Sequence, residues 1–151
     1  MRRHSAGFTA IEMVIVMVVA GIMMAIAIPF LRNTSQKTSV SGAADEISRL
    51  YATARAASIA RGKLAWLVLE PSTSSVLVVA NQVNGTGIDT VSQADNLATR
   101  YKVTFTTSTD SLVFTPRGVG ANLVTTTVIL SSTTGGVVDT VYIYPTGKIV
   151  R

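Results

Sequence analysis

The run from Met13 to Leu31 is 19 residues long and carries no charged side chain. At about 1.5 Å of rise per residue it makes just enough helix to cross a hydrocarbon layer roughly 30 Å thick. The mean hydropathy of the whole chain, +0.43, is high for a soluble protein because apolar residues gather in this segment instead of spreading along the sequence. Glu12 stands at the head of the run. A carboxylate at the edge of lipid is costly unless it finds a partner or water, so Glu12 is a candidate functional residue.

A cleaved secretory signal is the competing reading. Arg2 and Arg3 would form its basic region and Ala25-Ile26-Ala27 imitates a cleavage site. Against it, the run exceeds the usual apolar stretch of about 7 to 15 residues and continues past that site through Ile28, Phe30 and Leu31. An uncut anchor fits better. Arg32 and Lys37 nearly balance Arg2 and Arg3 across the segment, so charge leaves its orientation open.

Beyond the anchor, Val40, Ala43, Ile47, Leu50, Tyr51, Ala54 and Ala57 recur at steps of three and four, which predicts an amphipathic helix closed by Gly62. Asp45 and Glu46 lie in its early part, while Arg49, Arg55 and Arg61 fall on other faces. Joined to the anchor, this segment predicts one long helix. After Gly62 the pattern changes to short β-branched runs: Leu64 to Leu69, Val76 to Ala80, Arg100 to Thr106, Leu112 to Thr115, Leu123 to Ser131 and Val137 to Tyr144. These read as antiparallel strands, with Pro71 to Ser75 joining the first two and Pro145 and Gly147 placed for a type I turn before Lys148 to Arg151. Their apolar face is expected to cover the Ile47, Leu50, Tyr51 and Ala54 stripe. Asn81 to Ala98 is polar and aperiodic and reads as a long loop. Asn84-Gly85-Thr86 matches a glycosylation sequon, and Gly85-Thr86-Gly87 lacks the spacing and lysine of a phosphate loop.

Gly7-Phe8-Thr9-Ala10-Ile11-Glu12-Met13, after a short basic leader and before a long apolar run, resembles the class III signal of type IV pilins and type II secretion pseudopilins. Ala10 departs from the leucine that is commoner there. Ala54 to Lys63 and the closing Val141 to Lys148 resemble GspH/FimT-type minor subunits. The resemblance implies an α+β pilin-like fold: a leader at 1–7, a transmembrane and filament-core helix at 8–31, an amphipathic helix at 32–62 and a periplasmic or extracellular antiparallel β domain at 63–151. It implies cleavage between Gly7 and Phe8 by prepilin peptidase, N-methylation at Phe8, and a stem made pliable by Gly21 and Pro29. The implied partners are other pilin or pseudopilin subunits, the peptidase and the bacterial inner membrane, with the β domain in the periplasm.

Independently of any family, Glu12 is placed to neutralise the new amine of Phe8 on a neighbouring subunit, which would set the register of assembly. The function that follows is a minor subunit that joins or caps a secretion pseudopilus or type IV pilus. The alternatives are a FimT-like DNA-binding minor pilin, with Lys148, Arg151 and Arg117 as candidate phosphate contacts, capture of an exported protein substrate, or a plain single-pass anchored domain. Arg100 and Lys102 would extend the basic face.

Enzyme chemistry finds little footing. The only histidine, His4, lies in the expected leader, there is no cysteine, and Glu70, Asp89, Asp95, Asp110 and Asp139 are scattered singly. No cofactor or metal is expected. The formal charge of +5 falls to +3 once Arg2 and Arg3 are lost, which favours anionic partners without specifying one.

Overall fold

The computed structural model describes residues 8–121 and 124–151, so the leader and the start of the expected run from Leu123 lie outside the described residues. The chain divides into two compact units, residues 1–35 and 36–151, with the division inside helix α1 (Ala10–Arg61).

In the first unit α1 starts at a capping box. The Thr9 backbone N–H and hydroxyl both donate to Glu12 Oε2, at 2.8 and 2.9 Å, and the Glu12 N–H donates back to Thr9 Oγ1 at 3.3 Å. The helix continues through Pro29 without interruption. Its apolar side chains are exposed all round, from Phe8 to Leu31, which is the surface of a helix that has lipid or neighbouring helices for solvent. It is long and apolar enough to cross a membrane.

In the second unit the expected stripe is observed: Val40, Ala43, Ile47, Leu50, Tyr51, Ala54 and Ala57 are buried. Gly62, at φ 61°, ends the helix in a Schellman arrangement, with the N–H groups of Gly62 and Lys63 donating to the carbonyls of Ile59 and Ser58. The strands divide into two antiparallel four-stranded sheets. One has the order β3 (Ile88–Asn96), β2 (Ser75–Asn81), β1 (Ala65–Glu70), β5 (Ser111–Phe114). The other has the order β4 (Val103–Thr107), β6 (Thr126–Ser132), β7 (Val138–Ile143), β8 (Ile149–Val150). Alternate residues of both point inward, Leu67, Leu69, Val76, Val78, Leu112 and Phe114 from the first and Val103, Phe105, Val128, Leu130, Val141 and Ile143 from the second. With the helix stripe from Val40 to Ala54 they form one continuous core, while Ala57 packs with Ala65 and Ala80.

The structure departs from the sequence reading in three places. The segment Asn81 to Ala98 is not a loop: it contains β3 and leads into helix α2 (Leu97–Tyr101). β3 is an edge strand with no buried position, and its pairing with β2 shifts register between Val76 and Val79, so neither face imposes an apolar period. Arg100 and Tyr101 belong to α2, which Asn96 caps by accepting from the Thr99 N–H at 2.8 Å, and β4 begins only after Lys102 turns the chain at φ 55°. β6 starts at Thr126, with Val124 and Thr125 preceding it. The Gly85 and Gly87 segment forms the tip of the β2–β3 hairpin, folded over the Gln82 side chain.

Candidate functional site

Three groups of polar residues stand out, set at successive levels along α1. The first is the start of α1. Phe8 is 78% exposed, and a Cβ added at Gly21 would meet nothing within 4 Å. Gly7 lies outside the described residues. Both bonds that Thr9 donates end on Glu12 Oε2. The Oε1 atom has no partner among the described residues, so the cap holds the carboxylate in place and leaves one oxygen open. The Thr9-x-x-Glu12 spacing is a helix-start signature that sits inside the leader motif and is obscured by it.

The second group joins α1 to β3 and α2. Glu46 is only 6% exposed although it is a carboxylate. Arg49 forks onto it, with Nε donating to Oε2 at 2.9 Å and Nη2 to Oε1. Arg100 donates to Asp95 at 2.7 Å and lies over the Tyr101 ring at 5.3 Å. The Arg49 hydrogen bonds hold the Glu46 carboxyl below its ordinary range against the opposing effect of burial, and the charge of Arg100 acts in the same direction. Gly42 lets Tyr101 come close, since a Cβ there would stand 2.9 Å from Tyr101 Cε1. This group fixes α2 and β3 on the helix. Sequence reasoning missed it, although an acid within the buried arc of the stripe with an arginine three residues on is a readable signal.

The third group concerns the basic residues. Arg151 is ion-paired, its guanidinium lying between Asp139 and Asp45, the latter at 3.3 Å. Lys148 and Arg117 are exposed, and each sits beside a positive-φ glycine in a tight turn. The Gly147 N–H donates to the Tyr144 carbonyl at 2.9 Å, which is the turn expected at Pro145, and the Gly118 N–H donates to the Thr115 carbonyl at 2.8 Å. Both turns meet Arg55, which the sequence places off the apolar stripe. A Cβ on Gly118 would stand 3.4 Å from Arg55 Nε and one on Gly147 would stand 3.6 Å from Arg55 Nη1. Arg100 and Lys102 do not belong to this cluster: Arg100 is committed to Asp95 and Lys102 caps α2.

Among the described residues no group of histidine and acidic side chains is arranged to hold a metal ion. Nothing in the three groups places a nucleophile beside a base.

The family model described as "Type II transport protein GspH" matches residues 43–147, and that of the "Prokaryotic N-terminal methylation motif" matches residues 2–28. No curated protein matches the chain. Two crystal forms of the type IV minor pilin FimU of Pseudomonas aeruginosa (strain PAO1) share its fold. The first is 14% identical with a TM-score of 0.57, covering 78% of this chain and 90% of that one. The second is 16% identical with a TM-score of 0.52, covering 73% and 90%.

Proposed function

We propose a route of processing and assembly from the premise that this chain belongs to the GspH family of type II transport proteins. It is a minor pseudopilin- or pilin-type subunit of a secretion or pilus filament, anchored through the apolar half of α1. In this reading the leader is removed between Gly7 and Phe8 by prepilin peptidase, the new amine of Phe8 is methylated, and residues 36–151 face the periplasm. The chain then leaves the membrane by joining other subunits through residues 8–31, with Gly21 and Pro29 easing the fit of packed stems. Glu12 supplies the charge that meets the Phe8 amine of its neighbour.

The observation that carries this reading is the open oxygen of Glu12. A carboxylate at the head of an exposed apolar helix, fixed by Thr9 through one oxygen, is prepared for a cationic partner that none of the described residues provides. Intact-mass measurement of protein extracted from membranes of a host with an active prepilin peptidase tests the first step. A chain beginning at methylated Phe8 is expected. One beginning at Met1 or near Ile28 refutes it.

A further inference from the structure

The C-terminal half of α1 bears a groove that the filament reading leaves unused. It has a volume of about 410 Å³ and runs beside β8, lined by Tyr51, Ala52, Arg55, Ala56, Ile59 and Ile149. Its floor is apolar. Ile59 is 53% exposed, a large aliphatic side chain left in water at the edge of a domain whose other helix positions of this kind are buried. Its rim is basic, because the turns carrying Arg117 and Lys148 converge on Arg55. None of these three cations has a carboxylate partner among the described residues, whereas Arg49, Arg61, Arg100 and Arg151 are each paired.

We propose that this groove docks a short segment of a partner protein that combines acidic and apolar side chains. The apolar side chains would lie on Ala52, Ala56 and Ile59, and a carboxylate would take the two-pronged guanidinium of Arg55. β8 is the edge strand of its sheet, so an extended segment beside Ile149 also finds backbone groups to pair with. Charge complementarity selects the acid. The apolar floor selects a peptide over nucleic acid, whose phosphates would gain nothing from Ile59 and would need a longer cationic track than Arg55, Arg117 and Lys148 make while Arg151 is paired with Asp139 and Asp45. A cleft of this volume accepts a few side chains.

The test titrates the full-length protein in detergent with a fluorescent hexapeptide of sequence ELELEL and, in parallel, with ESESES, KLKLKL and a labelled DNA duplex. ELELEL should bind, and ESESES and KLKLKL should bind at least about tenfold more weakly. Arg55→Ala and Ile59→Ser should each weaken ELELEL by about tenfold, while Arg55→Lys should recover part of the loss. Both altered residues are exposed, and unchanged circular dichroism checks that the fold survives. Equal binding of ESESES and ELELEL would overturn the proposal by reducing the site to bare charge. Binding of DNA in preference to ELELEL would overturn it in favour of a nucleic-acid surface, and Arg55-dependent self-association without peptide binding would assign the groove to a second copy of the chain.

Discussion

Removing the Arg49 side chain would leave a carboxylate nearly enclosed. The Glu46 side chain is 7% exposed and that of Arg49 57%, so the pair is buried at its acidic end and wet at its basic end. A fully buried pair broken from one side costs about 3 to 5 kcal/mol, whereas an exposed one is worth about 1 kcal/mol or less. The one-sided burial places Arg49→Ala between these, at about 1 to 2 kcal/mol. The sign of its pH dependence follows from Glu46. Its folded pKa lies below the ordinary value, so the pair's contribution is complete above the unfolded glutamate pKa of about 4.3 and is lost as pH falls through the lower folded value. Denaturant unfolding of the full-length protein in detergent, followed by the fluorescence of its one tryptophan, Trp66 in β1, measures this directly. Arg49→Ala should lower stability at about pH 7 and by much less at a pH below the lowered folded value of Glu46, where the protonated carboxyl needs no cation. An equal loss at both pH values would show that Arg49 acts by packing its aliphatic stem, and no loss at either would refute the coupling of Arg49 to Glu46.

Two further substitutions probe the same unit. Leu50→Ala removes a fully buried side chain from the helix stripe and should cost about 2 to 5 kcal/mol in the same unfolding assay. Gly42→Val places a branched side chain where a single Cβ already comes within 2.9 Å of Tyr101. It should cost about 1 to 3 kcal/mol by lifting α2 from α1, and Tyr101→Ala in the same chain should recover part of that loss.

What the sequence made legible is what repeats. Nineteen uncharged residues, a stripe from Val40 to Ala57 and β-branched runs each state their partner's polarity, and lipid, sheet and helix follow from them. β3 was illegible because an edge strand with polar residues on both faces has no period to read. Arg100 and Lys102 were misplaced because a one-turn helix is specified by its Asn96 cap and the Lys102 turn, not by the residues between them. The candidate sites divide in the same way. Glu12 and Thr9 are three residues apart and could be read together, whereas the meeting of Arg55 with two glycine turns more than 60 residues further along exists only after both sheets have closed on the helix.

The capping box at the start of α1 makes a separation possible that the leader motif alone does not. Glu12 has a local role, accepting two bonds from Thr9 through Oε2, and a proposed intersubunit role that needs a negative charge at Oε1. A glutamine at the third helical position still closes a capping box, since its amide oxygen accepts and the backbone N–H still donates to Thr9 Oγ1. Glu12→Gln therefore keeps the helix start and removes only the charge, while Glu12→Ala removes both. If the charge drives assembly, the two variants should insert into membranes as well as the native chain and should be depleted equally from sheared filaments. Thr9→Val, which loses the hydroxyl but keeps the carboxylate and the backbone donor, should be depleted less than either. Recovery of Glu12→Gln in filaments at the native level, with Glu12→Ala depleted, would show that Glu12 serves assembly by holding the helix end, and the charge reading would fall.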